Sequence, residues 1–156
     1  MNEMNTIPHP ATAEAFAEQV STIINHGAIA VMISIGHRLG LFEALAERST
    51  FSSTELAAET GFAERYVREW LAVMVTGSIL RYDAATSRYH LPAEHAACLV
   101  KGAPLGNMAV FTQHVALLGQ MQDKALNLFE TGEGTHYGDY PCFHQIMAED
   151  SEMSVV

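Results

Sequence analysis

The sequence predicts a mainly α protein built around a winged helix-turn-helix, with a small β-hairpin wing and long helices on either side. Three observations within residues 52–91 predict this fold: a serine followed three residues later by a glutamate, a glycine at the end of each of two successive helical patterns, and a turn-forming run, DAATS, between two short apolar segments. A serine with a glutamate three positions on marks a helix start, and a glycine after an apolar helical face marks its end. The predicted order is therefore helix, turn, helix and hairpin.

Upstream of this segment the sequence predicts long apolar helices. Thr12 can cap a helix that runs towards Gly27, and from residue 28 to 35 the helical pattern is apolar almost all round. Such a helix has to be covered on more than one face, by its own domain or by a second subunit. We therefore expect a homodimer formed through the helices of residues 12–36. The apolar residues on one side of the first half are Phe16, Val20, Ile23 and Ile24.

Local signals predict the helix-turn-helix itself. Gly40 separates a short helix, LFEALAER, from the helix before it. Ser52 and Glu55 form a capping box, in which the hydroxyl caps the Glu55 amide and the carboxylate reaches back. Gly61 supplies the positive φ that ends this helix, and Gly77 ends the next one. The buried face of the second helix follows amphipathic spacing: Val67, Trp70, Leu71, Met74 and Val75.

After the hairpin the sequence again predicts helices. Pro92 can open a short helix, and GAP at 102–104 forms a joint. A long helix is expected from residue 105 to about 129, stopped by Gly132, and a loop then leads to a last helix from about Pro141. This last helix has no C-terminal glycine or asparagine and no basic last turn. We therefore expect that the chain has been cut inside a longer protein.

The charge of the second helix argues against DNA binding. Its exposed positions include two i, i+4 pairs of opposite sign, Glu64 with Arg68 and Arg65 with Glu69, so this face neutralises itself. A helix that reads the major groove usually carries unpaired basic residues, with a basic rim for phosphates. The chain has 8 Lys and Arg against 18 Asp and Glu, a formal charge of −10, which repels a polyanion. The candidate wing adds only Arg81, Arg88 and His90.

Composition limits the remaining classes. The 156 residues, 49% of them hydrophobic, suffice for one domain with a core. The two cysteines form no CxxC pair and the N-terminus has no signal-peptide pattern, so we expect a cytoplasmic protein. The apolar run AIAVMISIG, between His26 and His37, is too short for a membrane span, and two lysines argue against binding to anionic membrane surfaces.

Three stretches of the sequence resemble a known family: HGAIAVMISIGHRLGLFEALAE, STELAAETGFAERYVREWLAVMVTGSILRYD and YHLPAEHAA. They resemble the N-terminal winged-helix region of class I S-adenosylmethionine-dependent methyltransferases, of the bacterial small-molecule type. The resemblance covers roughly residues 12–156. It implies a dimerisation module that swaps long helices with a partner subunit and closes one side of the substrate pocket, ahead of a Rossmann-like cofactor domain.

The resemblance, together with two prolines in the first ten residues, divides the chain into three parts. We expect a flexible tail at 1–11, a winged-helix dimerisation domain at 12–100, and a helical connector at 101–156 that leads towards an absent cofactor-binding domain. In the complete enzyme the resemblance implies S-adenosylmethionine as cofactor and a small molecule as methyl acceptor.

The resemblance also implies candidate site residues. In related O-methyltransferases the helix before the cofactor domain presents an F-x-x-x-M-x-x-x-S pattern towards the cofactor, and Phe143, Met147 and Ser151 match it. The alternative is that Phe143 and Met147 belong to the core. The helix of residues 105–129 and the loop after it would wall the acceptor site. The candidates for contact with an apolar substrate are Phe111, His114, Tyr137 and Tyr140.

The sequence lacks the strand, glycine-rich turn and acidic residue of a methyl-donor site, so the chain alone is expected to bind no methyl donor and to catalyse nothing. Gly132-Glu133-Gly134 follows a helix and is better explained as a turn. We expect no metal site, because His136, Asp139, Cys142 and His144 match no familiar zinc spacing. Two alternatives stay open: a free-standing winged helix-turn-helix regulator that binds DNA or a small ligand, and a degenerate reading frame without function.

Overall fold

The computed structural model describes residues 12–154, and the predicted tail at 1–11 lies outside them. The predicted mainly α fold with one hairpin is confirmed. In chain order the elements are α1 Ala13–Arg38, α2 Leu41–Ala46, α3 Ser53–Thr60, α4 Glu64–Thr76, β1 Arg81–Asp83, β2 Arg88–His90, α5 Ala93–Ala96, α6 Ala109–Gln120, α7 Gln122–Thr131, a 3₁₀ turn at Tyr137–Asp139, and α8 Phe143–Ser154.

The local signals of the helix-turn-helix are confirmed. Ser52 Oγ accepts the Glu55 amide at 3.2 Å, and the Glu55 carboxylate accepts the Ser52 amide at 2.8 Å, which completes the capping box. Gly61 ends α3 with a φ of 74°. The wing is an antiparallel pair of three-residue strands, and Phe51 extends it by a two-way backbone bridge to Tyr89. Helix, turn, helix and wing therefore follow the predicted order.

Helix α1 runs unbroken for 26 residues, with Thr12 as its N-cap and Gly27 in its interior. An interior glycine costs only about 1 kcal/mol relative to alanine, which a long packed helix tolerates. The unbroken helix joins the nine-residue apolar run to further apolar residues, and by length and composition alone it could cross a membrane. Core helices of soluble proteins and signal sequences share this property.

The prediction of one long helix from 105 to 129 was wrong. Positive φ angles at Gly102 and Gly106 keep the preceding segment out of the helix, so α6 begins at Ala109. The helix then breaks at Met121, whose amide is bonded to the carbonyls of residues 117 and 118 and whose side chain is buried. The predicted stop at Gly132 is confirmed, with a φ of 70° that ends α7.

The core consists mainly of buried side chains from α2, α3 and α4, and α1 packs against it. The Trp70 indole lies against Gly36 of α1, and a Cβ at Gly36 would stand 2.4 Å from Trp70 Cζ2. The indole N–H donates to the Met32 carbonyl at 2.8 Å, and the Phe42 ring of α2 meets the Trp70 ring edge-on, with centroids 5.3 Å apart. The predicted face of α4 is confirmed, with Val67, Trp70, Leu71 and Met74 buried and Val75 half-buried.

Replacing Gly36 by alanine is expected to destabilise the protein by about 1–3 kcal/mol, because the added methyl group forces the Trp70 ring to move within a packed core. Urea denaturation followed by tryptophan fluorescence measures this. The matched control is Gly27→Ala on the same helix, where an added Cβ meets no atom within 4 Å, so that alanine should be neutral or stabilising by up to about 1 kcal/mol. Equal losses in both variants would contradict the close contact at Gly36.

Candidate functional site

The basic residues of the winged helix are paired with carboxylates. Arg68 Nη1 lies 3.2 Å from Glu64, as predicted from their spacing. On the wing, Arg81 pairs with Glu94 at 3.2 Å and Arg88 pairs with Glu55 at 2.8 Å. Among the described residues, Arg65 and Glu69 do not approach within ion-pair distance, so the second predicted pair does not form. Since three of these four arginines are already neutralised, this surface offers little positive charge to phosphates.

Three of the predicted site residues come together in an aromatic corner, formed by Tyr137, Tyr140 and Phe143. The Phe143 ring centroid lies 5.6 Å from that of Tyr137 and 5.8 Å from that of Tyr140. Tyr137 is 73% exposed, so the corner is open to solvent on one side. The corner therefore joins two candidate substrate residues to one candidate cofactor residue.

Polar contacts hold the loop that carries this corner. Lys124 of α7 forms an ion pair with Asp139, and the other Asp139 oxygen accepts the His136 amide at 2.7 Å. The hydrogen bond from the His136 amide, followed by that from Lys124, lowers the pKa of Asp139 below its ordinary value. Thr135 and the Tyr140 hydroxyl are also hydrogen-bonded, at 3.0 Å.

Phe143, Met147 and Ser151 share one face of α8, as their spacing predicts. Phe143 is half-buried, Met147 is 40% exposed, and the Ser151 hydroxyl donates to the Met147 carbonyl at 2.7 Å. The side of α8 that packs inward is marked by Ile146, which is 5% exposed. The candidate cofactor face is therefore distinct from the packed face of the helix.

The other candidate substrate residues lie on α6. Phe111 is 46% exposed and belongs to an apolar side of α6 with Met108, Val115 and Leu118. His114 is half-buried, and its Nδ1–H donates to the Phe111 carbonyl at 3.2 Å. Within residues 12–154, Phe111 makes no ring contact with the aromatic corner, so the structure brings only part of the predicted set together.

The described residues do not by themselves fit a methyl donor or a metal ion. Gly132, the first glycine of the only candidate nucleotide turn, ends a helix and does not follow a strand. The α8 face supplies an aromatic ring and a thioether but no carboxylate for ribose hydroxyls. In the described part of the chain, no three His, Cys, Asp or Glu side chains are grouped as metal ligands.

Sequence reasoning missed a buried polar group that links α1, α6 and α8. His37 Nε2 lies 3.1 Å from Glu149 Oε2, which also accepts from Gln113 Nε2 at 2.7 Å. The other ring nitrogen of His37 lies 3.3 Å from Asn107 Nδ2, and Asn107 Oδ1 accepts the Ala109 amide at 3.0 Å. We call His37, Asn107, Gln113 and Glu149 the polar clamp. The only sequence signal was the presence of polar residues within otherwise apolar helix faces. The pairing itself could not be read from the sequence, because His37 and Glu149 are 112 residues apart.

The partners of Glu149 in the clamp lower the pKa of its carboxyl. Partial burial raises the pKa of its carboxyl, but the hydrogen bonds from His37 and Gln113 and the charge of Lys101 outweigh this and leave the pKa below the ordinary value of 4.5. A carboxylate that accepts two side-chain donors is the acceptor at the centre of this group.

Comparison with known proteins agrees with this fold. Residues 27–101 match the family model described as the Rv2258c-like winged HTH domain, so this segment is a winged helix-turn-helix domain. No curated protein sequence matches the chain.

Among solved structures, the chain is similar to the N-terminal region of S-adenosylmethionine-dependent methyltransferases. The mitomycin 7-O-methyltransferase MmcR is 23% identical, with a TM-score of 0.62 over 90% of this chain and 42% of that one. The N,N-8-amino-8-demethyl-D-riboflavin dimethyltransferase RosA from Streptomyces davawensis is 18% identical, with a TM-score of 0.62 over 92% of this chain and 44% of that one. Human N-acetylserotonin methyltransferase is 14% identical, with a TM-score of 0.60 over 83% of this chain and 41% of that one. These likenesses show the fold, and the chain spans less than half the length of each of these proteins.

The pKa of Glu149 is expected to lie below the ordinary glutamate value, and replacing His37 by alanine is expected to raise it towards that value, because the hydrogen bond from His37 is the largest cause that lowers it. Carboxyl-carbon NMR of the 156-residue chain measures both midpoints. Because the folded-state pKa is the lower one, the stabilisation from the clamp is complete above the unfolded value and is lost as the pH falls through the folded-state value. His26→Ala, at an exposed site on the same helix, should leave the midpoint unchanged. An unchanged midpoint in His37→Ala would refute the contribution of this histidine.

Proposed function

We propose that this chain is the dimerisation and substrate-side module of an S-adenosylmethionine-dependent methyltransferase, in which a separate cofactor-binding unit holds the methyl donor. The observation that carries the proposal is an apolar stripe on α1 that the described residues, 12–154, do not cover. Its exposed fractions are 57% at Phe16, 37% at Val20, 61% at Ile23 and 65% at Ile24.

The two halves of α1 differ in their surroundings. The C-terminal half packs against α4 and α6 and contains the buried residues Ser34, Gly36 and His37. The N-terminal half carries the apolar stripe, and monomeric proteins rarely expose such a contiguous patch without an interaction. An open groove of about 540 Å³ lies beside it, between α1 and the turn after α4, with Ile29, Ile33 and Ile79 among its lining residues. The proposed occupant of this surface is a second copy of α1, whose own apolar stripe matches it in chemistry.

The proposed substrate side lies at the other end of the chain. The aromatic corner offers rings against which a planar apolar acceptor can pack, and Phe111 and His114 would extend the wall on α6. The α8 face of Phe143, Met147 and Ser151 would meet the bound S-adenosylmethionine. In this proposal the chain binds and orients the acceptor and excludes water, while residues 12–100 form the dimerisation domain and residues 101–156 the connector.

A charged substitution in the apolar stripe is expected to convert a dimer into a monomer. Ile23→Glu combined with Ile24→Glu would place two carboxylates in an interface that buries apolar side chains, and burial of an unpaired charge is costly. Light scattering after size exclusion at micromolar concentration measures the mass, and circular dichroism checks the fold.

The matched control for this experiment is Tyr66→Glu, on the exposed side of α4, where the tyrosine is 73% exposed. It should leave the dimer intact. A monomeric wild-type chain, or a specific and salt-sensitive shift of duplex DNA by the wild type, would overturn the proposal in favour of a different role.

The 156 residues are expected to bind no S-adenosylmethionine at micromolar concentration, because the described residues contain no strand, glycine turn and helix for its nucleoside. Isothermal titration calorimetry measures this directly, with a full-length methyltransferase of this kind as the positive control. A dissociation constant in the micromolar range for this chain would contradict the division between a substrate-side module and a separate cofactor unit.

A further inference from the structure

We infer that the polar clamp fixes the position of α8 on the winged-helix domain, so that His37 and Glu149 are positioning residues for the α8 face of Phe143, Met147 and Ser151. The role of that face rests on the proposed function. The clamp itself is a property of this chain and can be tested without any ligand.

The hydrogen bonds of the clamp have one direction. Asn107 Oδ1 is occupied by the Ala109 amide, so the Asn107 amide nitrogen faces His37 and donates to Nδ1. With Nδ1 facing a donor, the proton that His37 shares with Glu149 is on Nε2, which donates to the Glu149 carboxylate. The start of α6 thus orients Asn107, Asn107 orients His37, and His37 holds Glu149. This series of hydrogen bonds runs from a backbone amide to a carboxylate on another helix.

Apolar packing alone holds α8 weakly. Among residues 143–149 and 151, Ile146 is the only side chain that is fully buried, with Phe143 and Glu149 half-buried. The clamp residues on the other helices are buried, with His37 5%, Asn107 5% and Gln113 4% exposed. Hydrogen bonds to a charged group are stronger than neutral ones, and a buried donor that loses its acceptor is costly. Docking of α8 therefore depends on the hydrogen bonds of Glu149 as well as on the burial of Ile146.

The electrostatic surroundings favour the ionised form of Glu149. Lys101 lies near enough to lower its pKa, and the Lys101 amide donates to Glu43 of α2 at 3.1 Å. Arg38 follows His37 on α1, and His114 is the titratable residue of α6. The α4 side chain next to α1 at this level, Trp70, is uncharged. Among the described side chains of α8, Glu149 is the acidic one that lies near these basic and polar groups.

The clamp and the aromatic corner attach α8 at two points. Glu149 and Phe143 are six residues apart, which is about 9 Å along a helix. With the clamp broken, α8 can pivot about the corner, and the face of Phe143, Met147 and Ser151 turns relative to α1. The clamp therefore sets the direction of this face, which Ile146 alone cannot do.

The test is hydrogen exchange of the full 156-residue chain, read by mass spectrometry at neutral pH. Glu149→Ala and His37→Ala are each expected to speed exchange of the α8 amides by about 10-fold or more, the size expected for losing a charge-assisted hydrogen bond. Exchange in α3 and α4 should stay unchanged. The double variant should equal the stronger single one, because the two residues share one interaction. Glu149→Gln keeps an acceptor for His37 and should restore part of the protection.

The controls are His26→Ala on α1 and Glu130→Ala on α7, both exposed, and neither should alter α8. Unchanged α8 exchange in both clamp variants would overturn the inference, and so would equal acceleration throughout α3, α4 and α8, which marks a general loss of stability. Failure of the proposed function would appear differently, as a monomeric wild-type chain with normally protected α8.

Discussion

The close crossing of α1 and α4 at Gly36 is the constraint on which the rest of the structure depends. The Trp70 ring occupies the space that any side chain at position 36 would need, because an added Cβ would stand 2.4 Å from Trp70 Cζ2. The indole N–H donates to the Met32 carbonyl one turn earlier on α1, and this hydrogen bond holds the ring in place. Phe42 of α2 packs on the same ring. One glycine thus allows three helices to share a core, and the winged-helix domain is arranged around that contact.

Helix α1 carries more apolar side chains than its packing within the domain requires. Only the C-terminal half of the helix reaches Trp70, α6 and the polar clamp, whereas the first half extends past the domain and carries the apolar stripe. Helix α1 is long and apolar enough to cross a bilayer, but its C-terminal half packs against other helices of the protein. An exposed apolar half that continues from a packed half is typical of a helix shared between two subunits.

Short-range signals made the winged helix predictable from sequence. The capping box of Ser52 and Glu55, and the end of α3 at Gly61, depend on residues within four positions of each other, so their chemistry is visible in the sequence. The break at Met121 was missed because an apolar helical pattern continues through it, whereas in the structure Met121 is the cap residue between α6 and α7. The candidate site was predictable in part: spacing placed Phe143, Met147 and Ser151 on one face. It could not show that Ile146 packs inward, nor that Glu149 meets a histidine 112 residues earlier.

Helix α1 connects the proposed interface to the proposed site. Ile24, in the stripe, and His37, in the clamp, are thirteen residues apart, which is about 20 Å of one continuous helix. A rigid helix transmits the position of one end to the other, so a partner seated on the stripe and α8 seated on the clamp are held in a fixed relation. The paired arginines of α4 and the wing fit the same arrangement, because they form ion pairs with Glu64, Glu94 and Glu55 within the fold. A winged helix that neutralises its own basic residues, and presents apolar surface on the adjoining helix instead, is suited to contact with protein and small apolar molecules rather than with nucleic acid.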